Sequence, residues 1–309
     1  MTCRPGDVFI TACGRPAPAL SRRIHSKTSC TRPYSATPTA RPSQVGRVCL
    51  NGRHSSPSPE GVPVSLPRRL AALTAVFLGF AAPLPAGAVI GGSDAQASAY
   101  PWLVAVGSPV FFDRPSGQFC GGALIAPDQV ITAAHCVQLA QLLPQALTVT
   151  FDRSELSSGE GFTVSVTAVR IHPDFRQDTV DGVDVYHHDV AILTLKQAQS
   201  RPTVEIAAPQ GTSGTILGWG GTSDGDTANT RLHMTTVPLV GDDDCARAYP
   251  GAFDASEMVC AGSTTADTGE YDSGGPLLTD GKLVGITSWG RGAAQPGYPG
   301  VYTRLPAPF

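Results

Sequence analysis

Residues 270–278 read EYDSGGPLL, a stretch in which Ser273 stands between Asp272 and the pair Gly274-Gly275. Two glycines in succession let a chain turn tightly and leave the preceding hydroxyl exposed. Two other stretches give this serine its context. FCGGALIAPDQVITAAHC (119–136) ends on His135 beside Cys136, and HHDVAILTL (187–195) sets Asp189 at the head of an apolar strand. Taken singly, the histidine is compatible with a surface loop next to a disulfide, and the aspartate with an ordinary turn.

Outward from these motifs the chain divides into two parts of opposite charge. Residues 1–88 carry a net +9 and residues 89–309 a net −12, within −3 for all 309 residues. Such asymmetry marks segments with different fates, and the acidic second part argues against a nucleic-acid partner. Residues 1–66 are rich in Pro, Ser, Thr and Arg, with only Asp7 and Glu60 as acids, and are expected to form no packed core. Arg68-Arg69, the apolar run Leu70 to Ala82 and PLPAGA at 83–88 then describe a secretory signal peptide over 67–88. The run is shorter than the ~20 residues of a membrane span. The expected protein is therefore secreted, with no membrane attachment once the signal is removed. A signal peptide behind 66 residues places the natural start near Val62 or Val64 at a non-AUG codon, because no methionine falls between Met1 and Met234. An organelle transit segment is the competing reading of the leader.

From residue 89 onward, runs rich in β-branched residues, such as PWLVAVGS (101–108), FTVSVTAVRIH (162–172), SGTILGWG (213–220) and KLVGITSWG (282–290), alternate with Gly, Asp, Pro and Ser loops. Many short strands separated by turns indicate a barrel or a sandwich. A strand-poor stretch at about 199–212 connects two halves. Cys3, Cys13, Cys30 and Cys49 fall in the leader, and Cys120, Cys136, Cys245 and Cys260 in the acidic part. An even number in an exported chain favours disulfides, and the lack of any C-x-x-C leaves zinc as the weaker alternative.

The order His135, Asp189, Ser273, with VIGG at 89–92, GWG at 218–220, MVCAG at 258–262, SWG at 288–290 and PGVYTR at 299–304, resembles the chymotrypsin/trypsin family of serine endopeptidases from Val89 to about Arg304. The resemblance implies an all-β fold of two packed six-stranded antiparallel β-barrels, one over about 89–205 and one over about 206–309. It also implies a monomer, without metal or cofactor, that hydrolyses peptide bonds in proteins or peptides and that protein protease inhibitors could engage.

By the same resemblance, Ser273 is the nucleophile, which needs a neighbouring base because a hydroxyl is a poor nucleophile at neutral pH. His135 takes and returns the proton; Asp189 holds its tautomer, and Ser288 supports that aspartate. The backbone N–H groups of Tyr271 and Ser273 form the oxyanion hole. Asp267, six residues before Ser273, sits at the base of a pocket for substrate Arg or Lys, whose walls Ser288, Gly290 and Gly300 keep open; Tyr249 and Tyr302 match nearby positions. Two alternatives stay open: a non-basic specificity if Asp267 points away, and a catalytically disabled binding protein.

The sequence departs from the family pattern in three places. Tyr271 replaces a glycine, which is expected to crowd the leaving-group side and alter substrate and inhibitor fit. Gly269 and Ala293 stand where relatives have a disulfide, which leaves the pairs Cys120–Cys136 and Cys245–Cys260 and a looser pocket wall. The chain closes on LPAPF (305–309), whose prolines prevent a helix there; either the chain is truncated or this member omits the family's C-terminal helix, and apolar barrel surface is expected to lie bare. In the family the α-amino group freed by cleavage, here Val89, pairs with the aspartate before the serine, here Asp272. No Arg or Lys lies between Arg69 and Val89, so signal removal is expected to be the activating cut. His187 and His188 are read as strand-entry residues and Asp242–Asp244 as a solvated loop; the acids near Asp152–Glu160 form no convincing calcium set.

Overall fold

Along Phe162–Ile171 the side chains of Val164 and Val166 are buried while Thr163, Ser165 and Thr167 are exposed. That two-residue period is the mark of a strand with one wet face. Leu103–Gly107 is different: all five residues are buried, so this strand packs on both faces. Both patterns recur through the computed structural model, which describes residues 89–110 and 112–307. The expected leader, signal peptide and four leader cysteines lie outside the described residues.

The strands in chain order are β1 (Ser93–Asp94), β2 (Leu103–Gly107), β3 (Gln118–Ala126), β4 (Gln129–Thr132), β5 (Thr148–Phe151), β6 (Phe162–Ile171), β7 (Arg176–Val180), β8 (Val183–His187), β9 (Ala191–Leu195), β10 (Ser213–Gly218), β11 (His233–Val240), β12 (Met258–Ala261), β13 (Pro276–Thr279), β14 (Lys282–Trp289) and β15 (Gly300–Arg304). Six of them close a first antiparallel barrel in the order β2-β3-β4-β9-β6-β5. A second runs β11-β10-β13-β14-β15-β12 and closes through the β11–β12 pairing, with β1 added at the start of β11. β7 and β8 form a separate hairpin. The expected two-barrel, all-β architecture is the one observed.

The alternation in β2 distributes its side chains between two cores. Val104 and Val106 point into the first barrel with Leu124, Val149, Phe151 and Leu193. Leu103 and Ala105 point the other way, into a cluster with Ala123, Ile131 and Ile192 that also takes Leu217, Leu278 and Ile286 from the second barrel. The two barrels are thus joined by apolar faces that belong to the same strands as their interiors. Backbone contact reinforces the joint: Gly121 N donates to Ser273 O at 2.8 Å. A Cβ on Gly121 would stand 2.9 Å from the Gly275 Cα, and one on Gly274, at φ +77°, would collide with Thr132 Oγ1 and Gly121 O. The glycines after Ser273 therefore seat the serine loop against the first barrel.

Two expectations are corrected. Asp242–Asp244 is solvent-exposed as expected but opens a short helix, α2 (Asp242–Ala248), rather than lying in a loop. Acids in the first turn face the positive end of the helix, and Asp242 accepts from Arg304 at 2.6 Å. The anticipated bare apolar surface after β15 is also not found: among the described residues no large hydrophobic side chain beyond Phe162 is exposed. No helix of the described residues is long and apolar enough to cross a membrane.

Leu193 is fully buried and Leu139 is 93% exposed. Leu193→Ala is expected to cost about 2–5 kcal/mol, and Leu139→Ala less than about 0.5 kcal/mol. Equilibrium denaturation in guanidinium chloride checks both.

Candidate active site

His135 lies on a single helical turn, α1 (Ala134–Val137), directly after β4, and the Cys120–Cys136 disulfide ties that turn to β3. Asp189 sits between β8 and β9, where His188 takes φ +47° and Val190 N closes the bend onto His188 O at 2.8 Å. The neighbouring histidines have their own anchor: His187 Nδ1 lies 2.7 Å from Glu257 Oε1, and His188 N donates to Glu257 Oε2 at 2.6 Å.

Asp189 has no exposed surface. Its carboxylate accepts from His135 Nδ1 at 2.7 Å, from His135 N at 2.8 Å and from Ser288 Oγ at 2.6 Å, while Thr303 Oγ1 donates to its carbonyl at 2.8 Å. Burial pushes its pKa up, but the His135 imidazole and the His135 and Ser288 hydrogen bonds outweigh burial and hold it below the usual range. With Nδ1–H directed at that carboxylate, Nε2 is left as the acceptor nitrogen of the ring. Tyr186 stacks on the same imidazole, centroids 4.5 Å apart. Ser273 shares a cavity with His135; among the described residues its hydroxyl makes no hydrogen bond, so the two are brought to one cleft without a closed Oγ–Nε2 contact.

The serine loop leaves the amides on either side of Asp272 open. Asp272 N, Gly274 N and Gly275 N donate to Gly269 O, Thr287 O and Asp272 O at 3.1, 2.8 and 2.9 Å. Those of Tyr271 and Ser273, which flank Asp272, have no partner among the described residues. Tyr271 takes φ +73°, a conformation natural to the glycine it replaces. Two residues that the sequence did not single out hold it there. Gln118 Nε2 donates to Tyr271 O at 3.0 Å, and the Arg114 guanidinium lies 4.0 Å from the Tyr271 ring centre. Arg114 is itself pinned by Thr227 O at 2.7 Å, Asn229 O at 2.7 Å and Trp219 O at 3.2 Å. Neither residue lies in a motif; only the fold brings them to Tyr271.

Asp272 is buried and accepts from Gly220 N at 2.8 Å and Gly269 N at 2.9 Å. Burial lifts its pKa to about 7 against the pull of those amides and of the Arg114 charge. A Cβ on Gly218 or Gly220 would collide with this carboxylate, which accounts for GWG at 218–220. The Val89 side chain is fully buried with Ile216, Val237, Leu277 and Val284. The chain is continuous through 88–89, so the Val89 nitrogen is an amide here, and among the described residues it makes no hydrogen bond to Asp272.

Asp267 faces a cleft of about 190 Å³ that is also lined by Ser273, Ser288, Gly290 and Gly300. Its carboxylate accepts from Thr268 N at 2.8 Å and Ala294 N at 2.9 Å, and burial raises its pKa to about 6. A Cβ on Gly300 would stand 2.7 Å from Asp267 Oδ1, whereas one on Gly290 would meet nothing closer than 3.6 Å. Tyr249 braces the rim, donating to Pro299 O at 2.7 Å, and Tyr302 is fully buried in the second barrel.

Where the pocket disulfide is missing, the 221–226 loop packs against the wall. At Gly269 a Cβ would collide with Gly221 O, because the 221–226 loop fills that space. From the same loop Asp224 accepts from Ala293 N at 3.2 Å and Gln295 Nε2 at 3.1 Å. Two of the three acids near 152–160 are engaged internally: Asp152 pairs with Arg201 at 2.6 Å and Glu155 accepts from Thr230 at 2.6 Å. Among the described residues the grouping Cys120, His135 and Cys136 has both thiols in a disulfide. The second disulfide, Cys245–Cys260, joins α2 to β12.

Residues 89–308 match the family profile described as Trypsin. A protein named Trypsin from Saccharopolyspora erythraea is 42% identical over 228 residues, spanning 71% of this chain and 94% of its own length. Trypsins from Squalus acanthias and Phaedon cochleariae are 32% and 34% identical, covering 70% and 71% of this chain and 91% and 84% of theirs.

Installing the absent pair, Gly269→Cys with Ala293→Cys, is expected to destabilise by about 1–3 kcal/mol through overpacking. Calorimetry should show a lowered Tm, and thiol titration two free cysteines.

Proposed function

The chain belongs to the trypsin family and is a serine endopeptidase, and we infer that it is secreted and cleaves polypeptides after arginine and lysine. The observation that carries this reading is the placement of Ser273 between the His135–Asp189 pair on one side and the Asp267 cleft on the other.

In the proposed reaction the Ser273 hydroxyl attacks the scissile carbonyl carbon as its proton passes to His135 Nε2. The negative oxygen of the tetrahedral intermediate is held by the open amides of Tyr271 and Ser273, each worth about 3 kcal/mol when preorganised. Collapse expels the amine, which takes the proton from the imidazolium, and leaves an ester on Ser273. Water then attacks that ester by the same proton path and frees the acid. Asp189, ionised and buried, stabilises the imidazolium at both stages. Asp267 selects the side chain on the acyl side: a guanidinium or ammonium entering the cleft neutralises a carboxylate that is costly to ionise alone.

Activation follows from Asp272. Its raised pKa belongs to a chain in which residue 88 still precedes Val89, so the carboxylate is buried without a cation bonded to it. Release of an α-amino group at Val89 supplies one, and the ion pair then orders Tyr271 and Ser273. Cleavage after Ala88 during export is the proposed source of that amine.

Asp267→Ser is expected to lower kcat/KM for arginyl substrates roughly a hundredfold to a thousandfold. In the parent, KM for an arginyl substrate should rise as pH falls through about 6, because protonated Asp267 no longer binds the cation; the variant should lack that limb.

Protein beginning at Val89 should be active, and protein with residues retained before Val89 nearly inert. The retained form should also be the less stable at high pH. A carboxyl whose folded pKa is raised contributes stability that is present below about pH 4 and lost as pH rises through about 7. Thermal unfolding of both forms from pH 5 to 8.5 should give a Tm gap that widens with pH.

A further inference from the structure

A residue other than glycine stays at a φ of +73° only where its surroundings hold it there. Three contacts grip Tyr271. The carbonyl before it, Glu270 O, accepts from Gly221 N at 2.8 Å, and its own carbonyl accepts from Gln118 Nε2 at 3.0 Å. Its ring faces the Arg114 guanidinium, 4.0 Å from the ring centre. In a trans peptide the N–H points opposite to the C=O. The bond at Glu270 O therefore turns the Tyr271 N–H away from Gly221, and that N–H has no partner among the described residues.

The two carbonyl contacts are made to the backbone and would serve any residue at 271. The third serves only an aromatic one. Arg114 stands between β2 and β3 of the first barrel, yet its N–H groups reach the second, at Thr227 O and Asn229 O (both 2.7 Å) and Trp219 O (3.2 Å). Those carbonyls are themselves fixed. Asn229 Nδ2 donates to Trp219 O at 3.1 Å and Gly220 O at 2.9 Å, and Asp226 accepts from Thr222 N at 2.7 Å and Ala228 N at 2.9 Å. Bonds made in the guanidinium plane leave its face for the ring, well inside the ~6 Å over which a cation attracts a π face.

Beyond Tyr271 the chain is anchored by the Asp272 carboxylate on Gly220 N and Gly269 N. With the ring and that anchor in place, the strain at φ 271 is relieved only by turning the 270–271 peptide plane, which carries the Tyr271 N–H. Without the ring contact, the Gly221 bond alone opposes that turn. Given the oxyanion hole assigned above, we propose that Arg114 is a positioning residue for catalysis: held by the second barrel, it keeps the Tyr271 ring in place and so keeps the Tyr271 N–H turned to the substrate oxygen. Arg114 and Tyr271 work as a pair, since glycine at 271 would adopt this φ without a holder. The support is separate from the Val89 amine, which acts on Asp272 rather than on the ring.

The test uses protein beginning at Val89, an arginyl chromogenic amide as substrate, and p-aminobenzamidine, a fluorescent cation for the Asp267 cleft. The probe counts folded sites, so kcat is expressed per site that binds it. Arg114→Ala is expected to lower kcat by at least about tenfold, up to the roughly 10²–10³-fold lost with a whole oxyanion donor. The Kd of the probe and KM should move by less than about twofold, the split expected when only the transition state is affected. In a Tyr271→Gly background the same Arg114→Ala change should cost about twofold or less, which makes the two effects non-additive. A second pair of variants leaves every Arg114 hydrogen bond in place: Tyr271→Phe keeps the ring face and Tyr271→Leu only the bulk. The kcat of the leucine variant should fall roughly tenfold or more below that of the phenylalanine variant. An equal loss from Arg114→Ala with tyrosine and with glycine at 271, or equal kcat for the two side-chain variants, would overturn the proposal while the peptidase reading stands. So would a loss of probe affinity in step with kcat, which would make Arg114 a purely structural residue. Failure of the parent to hydrolyse the amide would remove the peptidase reading and this inference with it.

Discussion

Asp189 is a carboxylate with no exposed surface, held by donors from both barrels: His135 from the end of β4 and Ser288 from β14, while Thr303 of β15 donates to its main-chain carbonyl. A buried charge is tolerated only where it is paired and hydrogen-bonded, so the seam between the barrels must present these groups together. The apolar cluster from Leu103 to Ile286 supplies the joint that makes this possible. Geometry at the reacting centre and cohesion between the barrels are thus one property.

A second buried acid works differently. Asp272 is satisfied by two amides but has no cation bonded to it among the described residues, and burial raises its pKa to about 7. The loop it carries is fixed from outside by Arg114 and Gln118, both of which act on Tyr271. Tyrosine at a left-handed position carries a backbone strain that glycine would not. The ring's contact with Arg114 gives that conformation something in return.

Much of this was legible in the sequence because the informative features are local. The β-branched runs give the strands, and His135, Asp189 and Ser273 each sit inside a short motif. The cysteine pairs are separated by 16 and 15 residues and close as expected. What stayed hidden depends on long-range approach. Arg114 meets Tyr271 from 157 positions away, and Asp224 reaches the 293–295 loop from 69 and 71 positions away. The Asp triplet at 242–244 shows the other failure: charge suggested a loop, while the helix-end field and Arg304 made it a first turn. At the C-terminus the expected bare surface is not found: among the described residues no large hydrophobic side chain beyond Phe162 is exposed.

The central claim is that Ser273 is a nucleophile made reactive by His135. Its most direct test is covalent labelling with a fluorophosphonate, read by intact mass and peptide mapping on protein beginning at Val89. One adduct per chain, on Ser273, strongly slowed in His135→Ala, is the expected result. Folded protein that takes no label, or takes it at another residue, would contradict the claim.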